Sequence, residues 1–129
     1  RQVADAELRD VLEAVGLGRL AGSLDRQARW DRELNEEDQS RLAFAQLAVQ
    51  KPGWIVIDEA LDKFDPPERK DIYALLRARL PSAAIVNIGR LLPKDDFFSR
   101  RVLLARDKNG PALKKVDFGK RAEATINVP

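Results

Sequence analysis

Histidine, cysteine and methionine are all absent from the 129 residues. Without histidine there is no Ser-His-Asp triad, no imidazole general base and no ordinary zinc site. Without cysteine there is no disulfide scaffold and no thiol chemistry, which fits a reducing compartment. No apolar run approaches the ~20 residues that cross a bilayer, and no signal peptide is visible. An excess of one charge is also lacking. The formal net charge is +2, with Lys and Arg interspersed among acids, so no nucleic-acid partner is indicated. The remaining chemistry belongs to carboxylates, lysine, tyrosine or a bound cofactor. With no initiator methionine and a start at Arg1-Gln2-Val3, the chain looks like an excised fragment.

What is present is ordinary for a globular protein. Apolar residues make up 44% and charged residues 34%, and the length suits one domain with a real core. Leu8, Val11, Leu12 and Val15 recur at helical spacing, with Asp5 placed to cap and Gly16 to stop. A short turn through Leu17, Leu20 and Leu24 follows, then a polar loop carrying Trp30. Asn35-Glu36-Glu37-Asp38 is a strong helix start, a capping Asn before an acidic first turn, with Leu42, Ala45 and Val49 as the apolar stripe. Lys51-Pro52-Gly53 ends that helix.

Trp54-Ile55-Val56-Ile57 reads as a strand buried on both faces, running straight into Asp58-Glu59. Asp65-Pro66-Pro67-Glu68 then starts a helix by a capping box, with Ile72, Leu75, Leu76 and Leu80 as its buried stripe. Pro81 breaks it, and Ala84 to Ile88 reads as the next buried strand. Strand, helix and strand in this span predict a βαβ unit with parallel strands. Asp107-Lys108-Asn109-Gly110 between two apolar runs predicts a hairpin.

Carboxylates at the carboxyl end of a buried parallel strand sit where open α/β sheets bind ligands. Paired acids there can hold a magnesium ion and handle a water, or simply face solvent. Asp65 explains itself as a plain helix cap, and Arg90 as an ordinary loop residue.

Four ordered motifs add a resemblance. Trp30, then Leu34-Asn35-Glu36-Glu37-Asp38-Gln39-Ser40-Arg41-Leu42-Ala43-Phe44-Ala45, then Lys51-Pro52-Gly53-Trp54-Ile55-Val56-Ile57-Asp58-Glu59-Ala60, then Asp65, resemble the second half of an ABC-transporter nucleotide-binding domain. The likeness is greatest to the branch of fused transporters for peroxisomal acyl-CoA, cobalamin and antimicrobial peptides, where a Trp precedes a signature of the form L-S-x-G-E-Q-Q-R-L-A-F-A-R. It implies a partial P-loop NTPase (RecA-like) α/β core with parallel strands, preceded by a helical signature subdomain. Residues 1–50 would be that subdomain, 51–118 the second half of the core, and 119–129 a mobile tail.

The resemblance implies ATP and magnesium as cofactors of the complete domain. Asp58 would be the Walker B aspartate, holding magnesium through water, and Glu59 the catalytic base or water-orienting acid. Asn35 and Gln39 would fall at signature positions that meet a nucleotide, Asp65 at the D-loop, and Arg90 at the switch position. The implied partners are a transmembrane domain of the same or another chain and a second nucleotide-binding domain. The implied place is the cytoplasmic face of the inner membrane, with the fragment itself soluble.

Three departures stand against a simple assignment. No G-x-x-x-x-G-K-[ST] phosphate loop occurs, so the fragment is expected to bind ATP weakly and not to hydrolyse it. Asn35 and Glu37 replace the signature serine and glycine, and a carboxylate ~5 Å from a phosphate charge costs roughly 3 kcal/mol. Arg90 replaces the switch histidine in Val86-Asn87-Ile88-Gly89-Arg90; it can bind phosphate but cannot relay a proton. The alternative is a degenerate, non-hydrolysing domain with a regulatory or structural role.

Overall fold

The computed structural model of the chain describes residues 2–90 and 96–116. The expected mobile tail at 119–129 lies outside the described residues. The chain divides into two compact units, residues 1–92 and 93–129.

The first unit opens with α1, Asp5–Ala14. Its N-cap is Ala4 and not Asp5, which instead is the first helical residue; its charge still favours the helix start. Val11, Leu12 and Val15 are buried, as their spacing requires. Gly16 stops the helix at φ +78°, a conformation that glycine takes without a Cβ penalty. A 3-10 turn at Gly18–Leu20 follows. The expected polar loop around Trp30 is in fact a short helix, α2, Trp30–Glu33. Arg26 is tied to it at both ends, lying 5.2 Å from the Trp30 ring and 2.8 Å from the Glu33 carboxylate.

Helix α3, Glu36–Gln50, begins on Asn35, whose Oδ1 accepts the Asp38 N–H at 2.8 Å. Its buried face is Phe44, Ala45 and Ala48, whereas Leu42 and Val49 are half-buried. The stripe is thus rotated from the one that the leucine and valine suggest. Small alanines let α3 lie close to its neighbours, and Phe44 fills the space against Phe64 with ring centroids 6.1 Å apart. Lys51 closes α3 in the left-handed region, its N–H on the Leu47 carbonyl.

β1, Trp54–Asp58, is followed by a 3-10 turn at Ala60–Lys63 and then α4, Pro66–Arg79. Both bonds of the Asp65–Glu68 capping box form, each at 3.0 Å. All four residues of the expected stripe, Ile72, Leu75, Leu76 and Leu80, are buried. β2, Ala84–Ile88, pairs parallel with β1, from Trp54 opposite Ala84 to Asp58 opposite Ile88. The predicted βαβ unit is present, so the unit is a mixed helix and strand fold with a parallel sheet, compatible with part of an α/β NTPase.

Burial on both faces of β1 is not observed. Ile55 and Ile57 join the core, but Trp54 is 74% exposed and Val56 68%, and on β2 Val86 and Ile88 are about half exposed. The cause is geometric. Side chains alternate across a strand, and among the described residues only one face of this sheet is covered. An apolar run alone does not say which faces find cover.

In the second unit, β3 (Arg101–Asp107) and β4 (Gly110–Val116) form the expected antiparallel hairpin. Gly110 sits at φ +112° just past the two-residue loop Lys108-Asn109.

Candidate functional site

The acidic pair leaves the parallel sheet at its carboxyl end. Asp58 is the last residue of β1 and its carboxylate is exposed. Glu59 turns out of the strand at φ +53°, while its N–H donates to the Ile88 carbonyl of β2 at 2.7 Å. A non-glycine residue in this region carries ~1 kcal/mol of backbone strain, and such outliers cluster at functional sites. The kink turns Glu59 off the line of β1, beside the loop that follows β2.

Arg90 comes to the same place from that loop. Its Nε donates to Glu59 Oε1 at 2.9 Å, and its backbone N–H donates to Asp62 Oδ2 at 2.8 Å. Asp62 belongs to the 3-10 turn that follows the acidic pair. The fold therefore brings Glu59 and Arg90 together beside Asp58, which precedes Glu59 in the chain, with Asp62 as an addition that the sequence pattern did not single out. Its only signal in sequence was a third carboxylate close behind the first two.

A divalent ion is tested against Asp58. Among the described residues, no three His, Cys, Asp or Glu side chains group to hold a metal. The Asp58 carboxylate has no hydrogen bond or ion pair among the described residues. One free hard-oxygen donor suits a magnesium ion that keeps most of its waters. The residues present fit such an ion.

The remaining predicted site residues serve helix ends. Asn35 spends its side chain on the α3 cap, and Asp65 spends its own on the α4 cap. Gln39 is anchored as well, its Nε2 donating to the Leu34 carbonyl at 2.9 Å and the Asp31 carbonyl at 3.2 Å. Gln39 does approach the loop after β1. With Glu36, Ser40, Ala43, Ala60 and Lys63 it lines an open notch of about 420 Å³.

The acidic first turn of α3 is charge-compensated. Glu36 lies 3.5 Å from Lys63, Glu37 pairs with Arg41 at 2.8 Å, and Asp38 pairs with Arg19. The repulsion expected towards a phosphate is correspondingly reduced. The cap amide that an anion would need is nevertheless taken by Asn35.

Arg41 is the second residue that motif reading left unassigned. Mostly buried, it pairs with Glu37 and Glu68, donates to the Val15 carbonyl at 3.0 Å, and lies 5.0 Å from the Phe64 ring. Burial pulls its pKa down, but the Glu37 hydrogen bond and the charges of Glu68 and Glu37 outweigh that, leaving it above the ordinary arginine value.

No family model matches the chain. The inner membrane ABC transporter ATP-binding protein YddA of Escherichia coli (strain K12) is 33% identical over 86 residues, covering 67% of this chain and 15% of that protein. An uncharacterized ABC transporter ATP-binding protein of Haemophilus influenzae is 38% identical over 80 residues, covering 62% of this chain and 14% of that protein. The phosphonates import ATP-binding protein PhnC of Anaeromyxobacter dehalogenans is 35% identical over 126 residues, covering 92% of this chain and 24% of that protein. Homologues at modest identity are thus ABC transporter ATP-binding proteins, which supports reading these residues as part of an ABC ATP-binding domain. The chain spans less than a quarter of the length of these curated relatives. Among the described residues, no helix is long and apolar enough to cross a membrane.

Proposed function

We propose that the chain is the C-terminal part of an ABC-transporter ATP-binding domain, with residues 1–50 as the helical signature subdomain and 51–118 as the second half of a RecA-like core. In the complete protein this domain couples ATP binding and hydrolysis to transport across a membrane. The observation that carries the reading is the acidic pair at the carboxyl end of a parallel strand, with Glu59 held in a strained backbone conformation. Asp58 would hold magnesium through water, and Glu59 would orient the water that attacks the γ-phosphate. When bound, such an ion would supply Lewis-acid polarisation of the phosphate oxygens. In this reading Arg90 and Gln39 would face the nucleotide, and Asn35 and Asp65 would act mainly through the helix ends they cap.

The open sheet face supports a larger whole, because Trp54, Val56, Val86 and Ile88 form an apolar patch of the kind that another layer covers. The partners in this reading are a transmembrane domain and a second nucleotide-binding domain at the cytoplasmic face of the inner membrane. Trp30 ahead of the α3 start favours the fused peroxisomal, cobalamin and antimicrobial-peptide branch.

Substituting Glu59→Gln in the complete protein is expected to abolish turnover while ATP binding persists; unchanged hydrolysis removes Glu59 from the reaction. The chain alone, with no phosphate loop, is expected to bind MgATP weakly or not at all, and micromolar affinity by calorimetry would contradict this.

A degenerate, non-hydrolysing domain is the second reading. It is favoured by the Asn35 cap that takes up the α3 amide and by the ion pair that engages Glu59. Installing Ser at 35 and Gly at 37 separates the two. A large gain in ATPase rate marks a crippled site, and no change marks a working variant.

A further inference from the structure

Glu59 and Arg90 leave neighbouring parallel strands, and their side chains meet at the surface, with Glu59 49% exposed. The Arg90 side chain is 83% exposed. An exposed arginine loses rotamer freedom to hold one geometry, so an unsupported surface pair is weak. What supports this one is its backbone. Asp62 Oδ2 accepts the Arg90 N–H at 2.8 Å, and a Cβ built on Gly89 would lie 2.9 Å from Asp62 Oδ1. The Asp62 carboxylate therefore straddles the Gly89-Arg90 peptide, in a space that a Cβ at position 89 would crowd.

We propose that Asp62 is a positioning residue that, by fastening the backbone of Arg90, sets the Arg90 guanidinium against Glu59. Three ties then join the loop after β1 to the end of β2 and the loop after it: Glu59 N–H to the Ile88 carbonyl, Asp62 to the Arg90 amide, and Arg90 to Glu59. The guanidinium engages one Glu59 oxygen, Oε1, and does not engage the other. Arginine stays charged throughout, so it fixes the carboxylate without exchanging a proton with it. A bound phosphate would compete for the same guanidinium. This inference rests on the reading of Glu59 as the water-handling acid, and its test does not involve nucleotide.

The test is nitrogen-15 NMR on the full 129-residue chain. Asp62→Ala is expected to speed exchange of the Arg90 amide about tenfold, the loss of one charge-assisted hydrogen bond. It should also move the Arg90 Nε–H resonance to the position it takes in Glu59→Ala. Asp62→Asn, which keeps an acceptor oxygen, should restore both. Glu59→Ala should release the Nε–H while leaving the amide protected.

An Arg90 Nε–H unmoved by Asp62→Ala overturns the proposal, as does Asp62→Asn behaving like Asp62→Ala. Where Asp62→Ala does not fold, Asp62→Leu, close in shape and without an acceptor, carries the test: loss of the acceptor must release the same Nε–H, and an unmoved signal again overturns it. A failure here leaves the hydrolytic role of Glu59 standing, whereas unchanged turnover in Glu59→Gln sinks that role and leaves this geometry intact.

Discussion

The Arg41 guanidinium reaches from α3 to Glu68 Oε1, while Oε2 of the same carboxylate closes the capping box of α4. One glutamate thus both starts its own helix and binds the neighbouring one. Arg41 adds Glu37 and the Val15 carbonyl, so α1, α3 and α4 converge on a single mostly buried cation.

Removing that cation leaves two carboxylates and a carbonyl without their partner. Arg41→Ala is expected to cost about 2–4 kcal/mol of unfolding free energy. Glu68→Gln keeps an acceptor for the capping box and should cost about 1 kcal/mol. Urea denaturation of both variants checks the order, and equal losses would show that the Glu68 pair alone carries the effect of the cation.

Backbone strain distinguishes two positions. Lys51 and Glu59 both adopt left-handed φ, at +52° and +53°. Lys51→Gly is expected to stabilise the chain by about 0.5–1 kcal/mol, as a glycine helix stop should. Glu59→Gly relieves the same strain but loses the Arg90 pair, worth ~0–1 kcal/mol, so its net change is near zero. Thermal unfolding of the two variants measures the difference.

The two faces of β1 should respond unequally. Val56→Thr on the open face is expected to change stability by less than about 0.5 kcal/mol. Ile57→Thr, which puts a hydroxyl into the covered face, should cost about 2–4 kcal/mol. Similar losses at both positions would mean that the Val56 face is covered in solution.

Acid titration offers a local readout. The Arg29 guanidinium holds the Asp31 carboxyl below the ordinary aspartate range through hydrogen bonds at 3.0 and 2.9 Å, with desolvation opposing it. A depressed folded-state pKa contributes stability that is present above the unfolded value and is lost as pH falls through the folded one. Arg29→Ala should return Asp31 to the ordinary range in a carbon-13 carboxyl titration. An unshifted titration would show that the pair does not form in solution.

The features readable from the chain were those settled within a few residues. Asn35 and Asp65 each bond an amide three positions on, so their helix starts are written locally. The stripe from Ile72 to Leu80 and the strand, helix, strand order are equally local, because periodicity and breakers carry them. The carboxylate pair at a strand end was visible for the same reason.

Features that required distant segments to meet were not readable. Arg19 neutralises Asp38 from 19 positions away, and Asp62 finds the Arg90 amide 28 positions on. Val56 and Ile57 are alike in composition and opposite in burial, since alternation puts them on different faces and only folding decides which face is covered. Hydrogen-bond caps and hydrophobic spacing act along the chain. Charge compensation and burial act through space, and only the folded arrangement determines them.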